Sequence, residues 1–226
     1  MKETGIIMSG DHPVKCIDGA KTKTRRTWGL NKYNKNPNLW RIRLGVNCWF
    51  ADSVELNKYN LPSQQIYLKC PYGGVGDKLW VKETWAIGAF LYERYAEILY
   101  KAENYKSKGD RYFKHTDWNS YLNKRLGTGG VALAGWDKWH PSIFMPKWAS
   151  RITLEITEIR VERIQEITAE DAIAEGIPPF APDGEIKSST IPRKHFAVLW
   201  DSLNAKRGYG WETNCWVWCL TFKREG

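Results

Sequence analysis

Gly76-Asp77-Lys78-Leu79-Trp80-Val81-Lys82-Glu83-Thr84-Trp85 sets Leu79, Val81 and Glu83 against Trp80, Lys82 and Thr84. Strict alternation is the pattern of a half-buried strand, because successive side chains leave opposite faces of an extended backbone. The preceding Gly73-Gly74-Val75-Gly76-Asp77 reads as the turn that delivers it. Glu83 falls on the side of the apolar Leu79 and Val81, so burial and a cationic partner such as Lys21 or Arg26 are expected. A structural ion pair and a ligand-facing carboxylate are both open for it.

Outward from this strand, Trp40 to Leu44, Asn47 to Leu56, Ile66 to Lys69 and Ala96 to Ala102 read as further strands. Arg151 to Thr157 alternates Ile152, Leu154 and Ile156 and continues through Ile159 and Val161, and Cys215 to Phe222 is an apolar closing strand. A first helix is capped by Ser9 or Asp11, carries Pro13 in its first turn and stops at Gly19. Thr168-x-x-Asp171 has the form of a capping box opening a short helix that ends at Gly176. A longer helix, Pro192 to Asn204, puts Phe196, Leu199, Trp200 and Leu203 on one face. Asn31 to Asn38, with four asparagines and a proline, predicts a loop, as do Pro178, Pro179 and Pro182. Many short strands with few helices predict a mostly β, α+β fold: a small closed or nearly closed barrel with flanking helices, since closure removes sheet edges. The expectation is one domain over 1–226, with residues 86–135 as an insertion.

No run of about 18 apolar residues exists to span a bilayer. The opening ten residues lack the basic start and long apolar stretch of a secretory signal, so a cytoplasmic protein with no membrane partner is expected. The five cysteines are scattered without a Cys-x-x-Cys pair, which predicts reduced thiols rather than a disulfide framework. Cys16, Cys48 and Cys70 match no metal-ligand spacing, and neither metal nor cofactor is expected. His140 and His195 accompany no nucleophile elbow, and no phosphate-cradling Gly-x-x-x-x-Gly-Lys loop is present. Nothing here predicts nucleoside triphosphate hydrolysis.

Charge is unevenly spread. Residues 1–50 hold ten basic and three acidic side chains out of totals of 34 and 25, so nearly all the excess of +9 lies in the first fifth of the chain. It is densest at Gly19-Ala20-Lys21-Thr22-Lys23-Thr24-Arg25-Arg26. Like charges this close are costly unless an anion or an acidic partner accompanies them, so the segment is a candidate phosphate site. Trp80, Trp200, Trp216 and Trp218 have the spacing of core residues, whereas Trp85, Trp139 and Trp148 are candidates for stacking on bases.

The Gly-x-Lys-Thr-x-Thr-x-Arg run resembles the signature of ASCH domains, a PUA-like family of small β-barrels, and Gly76 to Glu83 resembles that family's second common segment. A phage and prophage subgroup is similar through Trp139-x-Pro-Ser-Ile-x-Met-Pro-x-Trp-Ala-Ser-Arg151 and Glu170-Asp171-Ala172-x-Ala-Glu175-Gly176-Ile177. The resemblance implies a nucleic-acid-related function with RNA or a modified nucleoside as partner. Some small members are amidohydrolases of acetylcytidine, which implies Lys21, Thr24 and Glu175 as catalytic residues. On that reading Lys21, its ammonium destabilised by like charges nearby, takes the Thr24 proton, and Glu175 orients Lys21 or protonates the leaving amine. Three residues of separation puts Lys21 and Thr24 on opposite faces of a regular strand, so an irregular junction after Gly19 is required. Lys23, Arg25, Arg26, Glu83, Trp85, Trp139 and Arg151 would complete the ligand site, with Arg151 either forked on a phosphate or an ordinary strand residue. A non-catalytic RNA-binding module and a ribonuclease are the alternatives the same residues leave open.

Overall fold

The computed structural model describes residues 1–46, 48–57, 59–91, 95–103, 112–114, 138–179 and 190–225. Much of the expected 86–135 insertion, and Pro182 of the proline loop, therefore lie outside the described residues. The chain divides into two compact units: unit 1 is Met1–Thr4, Asp18–Lys78 and Leu154–Gly226, and unit 2 is Gly5–Ile17 and Leu79–Thr153.

The elements run β1 (Glu3–Ile7), α1 (His12–Ile17), β2 (Lys23–Arg26), α2 (Asn31–Asn34), β3 (Trp40–Leu44), β4 (Trp49–Ser53), β5 (Gln65–Leu68), β6 (Lys78–Lys82), β7 (Trp85–Leu91), β8 (Tyr95–Tyr100), β9 (Tyr112–Lys114), β10 (Thr153–Arg163), α3 (Ala169–Ala174), α4 (Thr190–Asn204) and β11 (Trp216–Arg224). The fold is mixed, strand-rich with few helices. No closed barrel forms among the described residues: the sheets have the open orders β1-β6-β10-β11-β2, β3-β4-β5 and β7-β8-β9. Strand count and alternation are the same for an open and a closed sheet, which is why the sequence favoured closure and the register does not bear it out.

Unit 1 is built on antiparallel β10, β11 and β2, with Arg160 opposite Cys219 and Cys219 opposite Arg25. β10 carries an irregularity between Ile156 and Glu158 that lets it bend without losing its partner. On one side of β11 a core of Ile164, Ile167, Ala172, Phe196, Trp200, Cys215 and Val217 joins the strands to α3 and α4. Phe196 and Trp200, one helical turn apart, stack at 6.1 Å, as the α4 periodicity predicts. Leu203 departs from that expectation and is exposed, while its neighbour Asn204 is the buried residue of the last turn, its amide donating to the Trp200 carbonyl at 3.1 Å. The asparagine-rich 31–38 segment is not a loop throughout. Asn31–Asn34 forms a helical turn and Pro37–Leu39 a 3-10 turn, held by Tyr33 in the core and by Asn34, whose amide exchanges hydrogen bonds with the Trp216 backbone at 2.9 and 2.7 Å.

In unit 2 the alternation of β6 appears as expected, with Leu79 and Val81 fully buried. Trp80, expected in the core, is only half-buried, since it belongs to the other face of the strand. That ring lies where a Cβ on Gly5 would come within 2.8 Å of it, so only glycine admits the close approach.

Removing the Phe196 ring from the unit 1 core leaves a cavity between α4 and β11. Phe196→Ala is expected to lower stability by about 3–5 kcal/mol in urea unfolding. A loss under about 1 kcal/mol contradicts this packing.

Candidate functional site

Gly19, with φ at +75°, stops the segment from continuing α1 and turns it toward β2. Ala20 to Thr22 then run irregularly, pinned by Thr22 N–H donating to Ala174 O at 2.8 Å and by Phe222 N–H donating to Thr22 O at 2.9 Å. This is the irregular junction the motif requires, and it docks the basic run on the C-terminal end of α3. There Lys21 Nζ donates to Glu175 Oε2 at 2.6 Å and to the Glu175 carbonyl at 2.7 Å, its side chain wholly buried. An ammonium at a helix C-terminus also meets the negative end of the helix dipole.

Lys23 and Arg25 alternate along β2 and so share a face. Lys23 Nζ donates to Asp171 Oδ1. Arg25, 2% exposed, donates from Nε to Glu162 Oε1 at 2.8 Å and from Nη2 to Asp171 Oδ2 at 2.6 Å, with Nη1 3.4 Å from Glu175 Oε1. Its guanidinium lies 5.9 Å from the centre of the Phe196 ring. From the rim, Arg160 Nη2 reaches Asp171 Oδ2 at 3.1 Å and Cys219 Sγ at 3.6 Å. Arg26, on the opposite face to Arg25, is part-buried and donates from Nη1 to the Arg25 carbonyl at 3.1 Å.

The titration behaviour follows from these contacts. Burial pushes the Asp171 carboxyl up, but the Lys23 hydrogen bond and the Arg25 charge outweigh it and hold the group at about 2. Burial works against the charge of Arg25, yet Cys219, Glu175, Glu162 and Asp171 around it raise its pKa above the ordinary guanidinium value. The Cys219 thiol is pushed up to about 11 by burial, against the opposing effect of Arg25, and so is not a thiolate nucleophile at neutral pH. Glu162, Asp171 and Cys219 present ligand atoms within 4.8 Å of one another. Arg25, Lys23 and Arg160 already pair with the two carboxylates, so a further cation would have to displace them.

Thr24 faces away from Lys23 and Arg25 and is fully buried; its hydroxyl has no hydrogen-bond partner among the described residues. Of the three catalytic candidates, the structure therefore brings Lys21 and Glu175 together and leaves Thr24, close to Lys21 in sequence, without a hydrogen bond to either. The expected phosphate-facing role fails for Arg25, whose donors are turned onto carboxylates inside the protein. Lys23 is likewise engaged by Asp171. Glu162 and Arg160 carry no motif of their own in the sequence, and Asp171 stands in one as the fourth position of the Thr168-x-x-Asp171 capping box. Its backbone N–H does donate to Thr168 Oγ1 at 3.1 Å, but its carboxylate serves the cations of β2. The signal available is the rule that like charges this dense need acidic partners, which the carboxylates at 162, 171 and 175 supply.

Unit 2 holds the remaining candidates. Glu83 is buried as expected, but its partner is Arg151, not Lys21 or Arg26: Nε and Nη2 fork onto Oε1 and Oε2 at 2.8 and 2.9 Å. The Arg151 guanidinium also covers the Tyr100 ring at 4.0 Å. With 4% of its side chain exposed, Arg151 is a buried ion-pair residue and not a fork for phosphate. Trp85, 1% exposed, packs at 5.0 Å on His140 and edge-on against Trp148 at 5.8 Å, so its face is closed to a base. Trp139 and Trp148 are half-buried. A cleft of about 380 Å³ in this unit is lined by Met8, Ser9, Gly10, Asp11, Glu83, Thr84, Lys101 and Ala102.

Comparison with protein-family models, with curated proteins and with solved structures finds no match to this chain.

Asp171 is held below its ordinary carboxylate value, so its contribution to stability is complete above about pH 5 and is lost as the pH falls toward 2. The shift corresponds to roughly 2 kcal/mol. Stability measured from pH 6 to pH 2 is expected to fall through that window, with a shallower slope in Asp171→Asn. An unchanged slope in the variant contradicts the assignment.

Proposed function

We propose that this chain is an ASCH-type hydrolase of the PUA-like class, acting on an acylated amine of a nucleobase or nucleoside such as acetylcytidine. The single observation that supports the reading most strongly is the 2.6 Å contact between Lys21 and Glu175, residues brought together from opposite ends of the chain in a buried setting. A short hydrogen bond between ammonium and carboxylate out of water is a path for one proton. With the proton on Glu175, Lys21 is a neutral amine able to accept a proton, and Glu175 is an acid able to give one. These are the two roles that amide cleavage needs.

Lys21 takes the Thr24 hydroxyl proton as Oγ1 attacks the acyl carbonyl, forming the C–O bond of a tetrahedral intermediate. The C–N bond breaks as Glu175 protonates the departing amino group of the base. Water, deprotonated along the same pair, hydrolyses the acyl-threonine ester and releases the carboxylic acid. Thr24 carries no hydrogen bond among the described residues, so no existing partner has to be broken to use its hydroxyl. Catalytic hydrogen bonds that are long or absent in a free enzyme tighten when substrate binds. Lys21 lies in the irregular junction, outside β2, so strand alternation does not fix its direction relative to Thr24.

The basic run supports a phosphate-binding or nuclease reading less well, because Lys21, Lys23 and Arg25 each carry carboxylate partners. A phosphate there would have to displace an acidic side chain already in place.

Thr24→Val separates the chemical role from a structural one. A buried hydroxyl without a partner costs stability, so the isosteric apolar replacement is expected to leave the melting temperature unchanged or raised. Wild type should release acetate from acetylcytidine or a related acylated nucleoside, and Thr24→Val should reduce the rate by a factor of about 100 or more. Wild type inert against a panel of acylated nucleosides, or a variant as fast as wild type, overturns the mechanism.

A further inference from the structure

The basic side chains of unit 1 differ in their partners. Lys21, Lys23, Arg25 and Arg43 are paired with carboxylates, whereas Lys32, Lys35, Arg41 and Lys69 make no ion pair among the described residues and are exposed. These four belong to one stretch of unit 1, the α2 turn and the β3-β4-β5 sheet. Residues 31–69 hold six basic and two acidic side chains, so the stretch carries a local field for an anion.

The sheet has two unlike faces. Ile42, Ala51 and Leu68 are turned into the core. The register places Arg41 opposite Asp52, Arg43 opposite Phe50, Phe50 opposite Tyr67 and Asp52 opposite Gln65, so these six share the other face. On it, Tyr67 is 59% exposed and meets Phe50 edge-on at 6.2 Å, while the Arg43 guanidinium covers the Phe50 ring at 5.3 Å. A Cβ at position 45 would fall 2.7 Å from the Phe50 ring, so Gly45 is what lets that ring lie against the β3 backbone. Arg43 and Gln65 both donate to Asp52, which neutralises and covers the one acid of the face. The result is a fixed platform with the exposed Tyr67 ring on its edge strand β5, and with Arg41 and Lys69 as exposed cations that make no ion pair among the described residues.

We propose that this face of the β3-β4-β5 sheet binds single-stranded RNA, with a base stacked on Tyr67 and phosphates near Arg41 and Lys69. Every base has a π face, so an aromatic platform on a strand takes bases without strict sequence choice, and flanking cations supply the sequence-independent affinity. A duplex hides its base faces and cannot use the ring. Gln65 donates its amide to Asp52 at 3.0 Å and accepts no hydrogen bond among the described residues, which leaves a carbonyl oxygen for a ribose 2′-hydroxyl. The proposal does not rest on the hydrolase reading, because the strand needs no acyl group.

Fluorescence anisotropy with a labelled oligouridine, the matching oligothymidine and a duplex RNA tests it on the full chain. Wild type should bind the single-stranded RNA in preference to both others, with affinity falling with salt at a log–log slope of roughly −1.4 for two phosphate contacts. Tyr67→Ala should weaken binding by about five- to one-hundred-fold, Tyr67→Phe should retain it, and Arg41→Ala should reduce the slope by about 0.7. Melting temperatures of the variants report that the fold is intact. Equal affinity for the duplex, equal affinity for oligothymidine, indifference to Tyr67→Ala in a folded variant, or a Tyr67-dependent dimer without RNA affinity each overturns the proposal. Acetate release from acetylcytidine is unaffected by any of these outcomes, so the two readings fail separately.

Discussion

Two fully buried cations, Lys21 and Arg25, are held by carboxylates that arrive about 140 to 150 residues later in the chain. Neither set can be buried alone. An unpaired ion taken out of water costs several kcal/mol, and only mutual neutralisation with hydrogen bonds on both sides offsets that cost. The pairing therefore ties β2 to β10 and α3 in one arrangement: sliding β2 by one residue would turn Thr24 toward Asp171 and bury Arg25 on the wrong face. Much of unit 1 follows from this constraint, including the irregular run after Gly19 and the use of Asp171 as both helix-start residue and ion partner.

The same constraint changes what the densest basic run means. Read as sequence, Lys21 to Arg26 asks for an anion, and nucleic acid is an obvious supplier. In the folded chain the anions are internal. What remains is narrower: a short buried contact between Lys21 and Glu175, and a hydroxyl at Thr24 with no hydrogen-bond partner among the described residues. Exposed cations that make no ion pair among the described residues include Lys32, Lys35, Arg41 and Lys69, which no sequence motif singles out.

Local patterning was legible where one physical cause dominated. The alternation of Leu79 and Val81, the helical spacing of Phe196 and Trp200, and the turn at Gly19 all appear as the sequence implies. Features that depend on distant partners were not. Barrel closure depends on whether the first and last strands of a sheet meet, which alternation does not encode. Trp85 looked like a ring available for stacking because it borders a motif, yet His140 and Trp148 close over it. Glu83 was rightly expected to be buried and paired, but only the fold reveals Arg151 as its partner. Asn31 to Asn34 is helical against its composition because Tyr33 and Asn34 have core and backbone partners to win.

The central claim is that Lys21 and Glu175 act as one buried unit. A double-mutant cycle with Lys21→Met and Glu175→Leu, read by urea unfolding, tests it most directly. Each single change strands a buried charge and is expected to cost about 3–5 kcal/mol, while the double variant, in which Arg25 keeps Glu162 and Asp171 as partners, should be more stable than either. Additive losses would contradict the account, because they would mean the two side chains do not depend on each other.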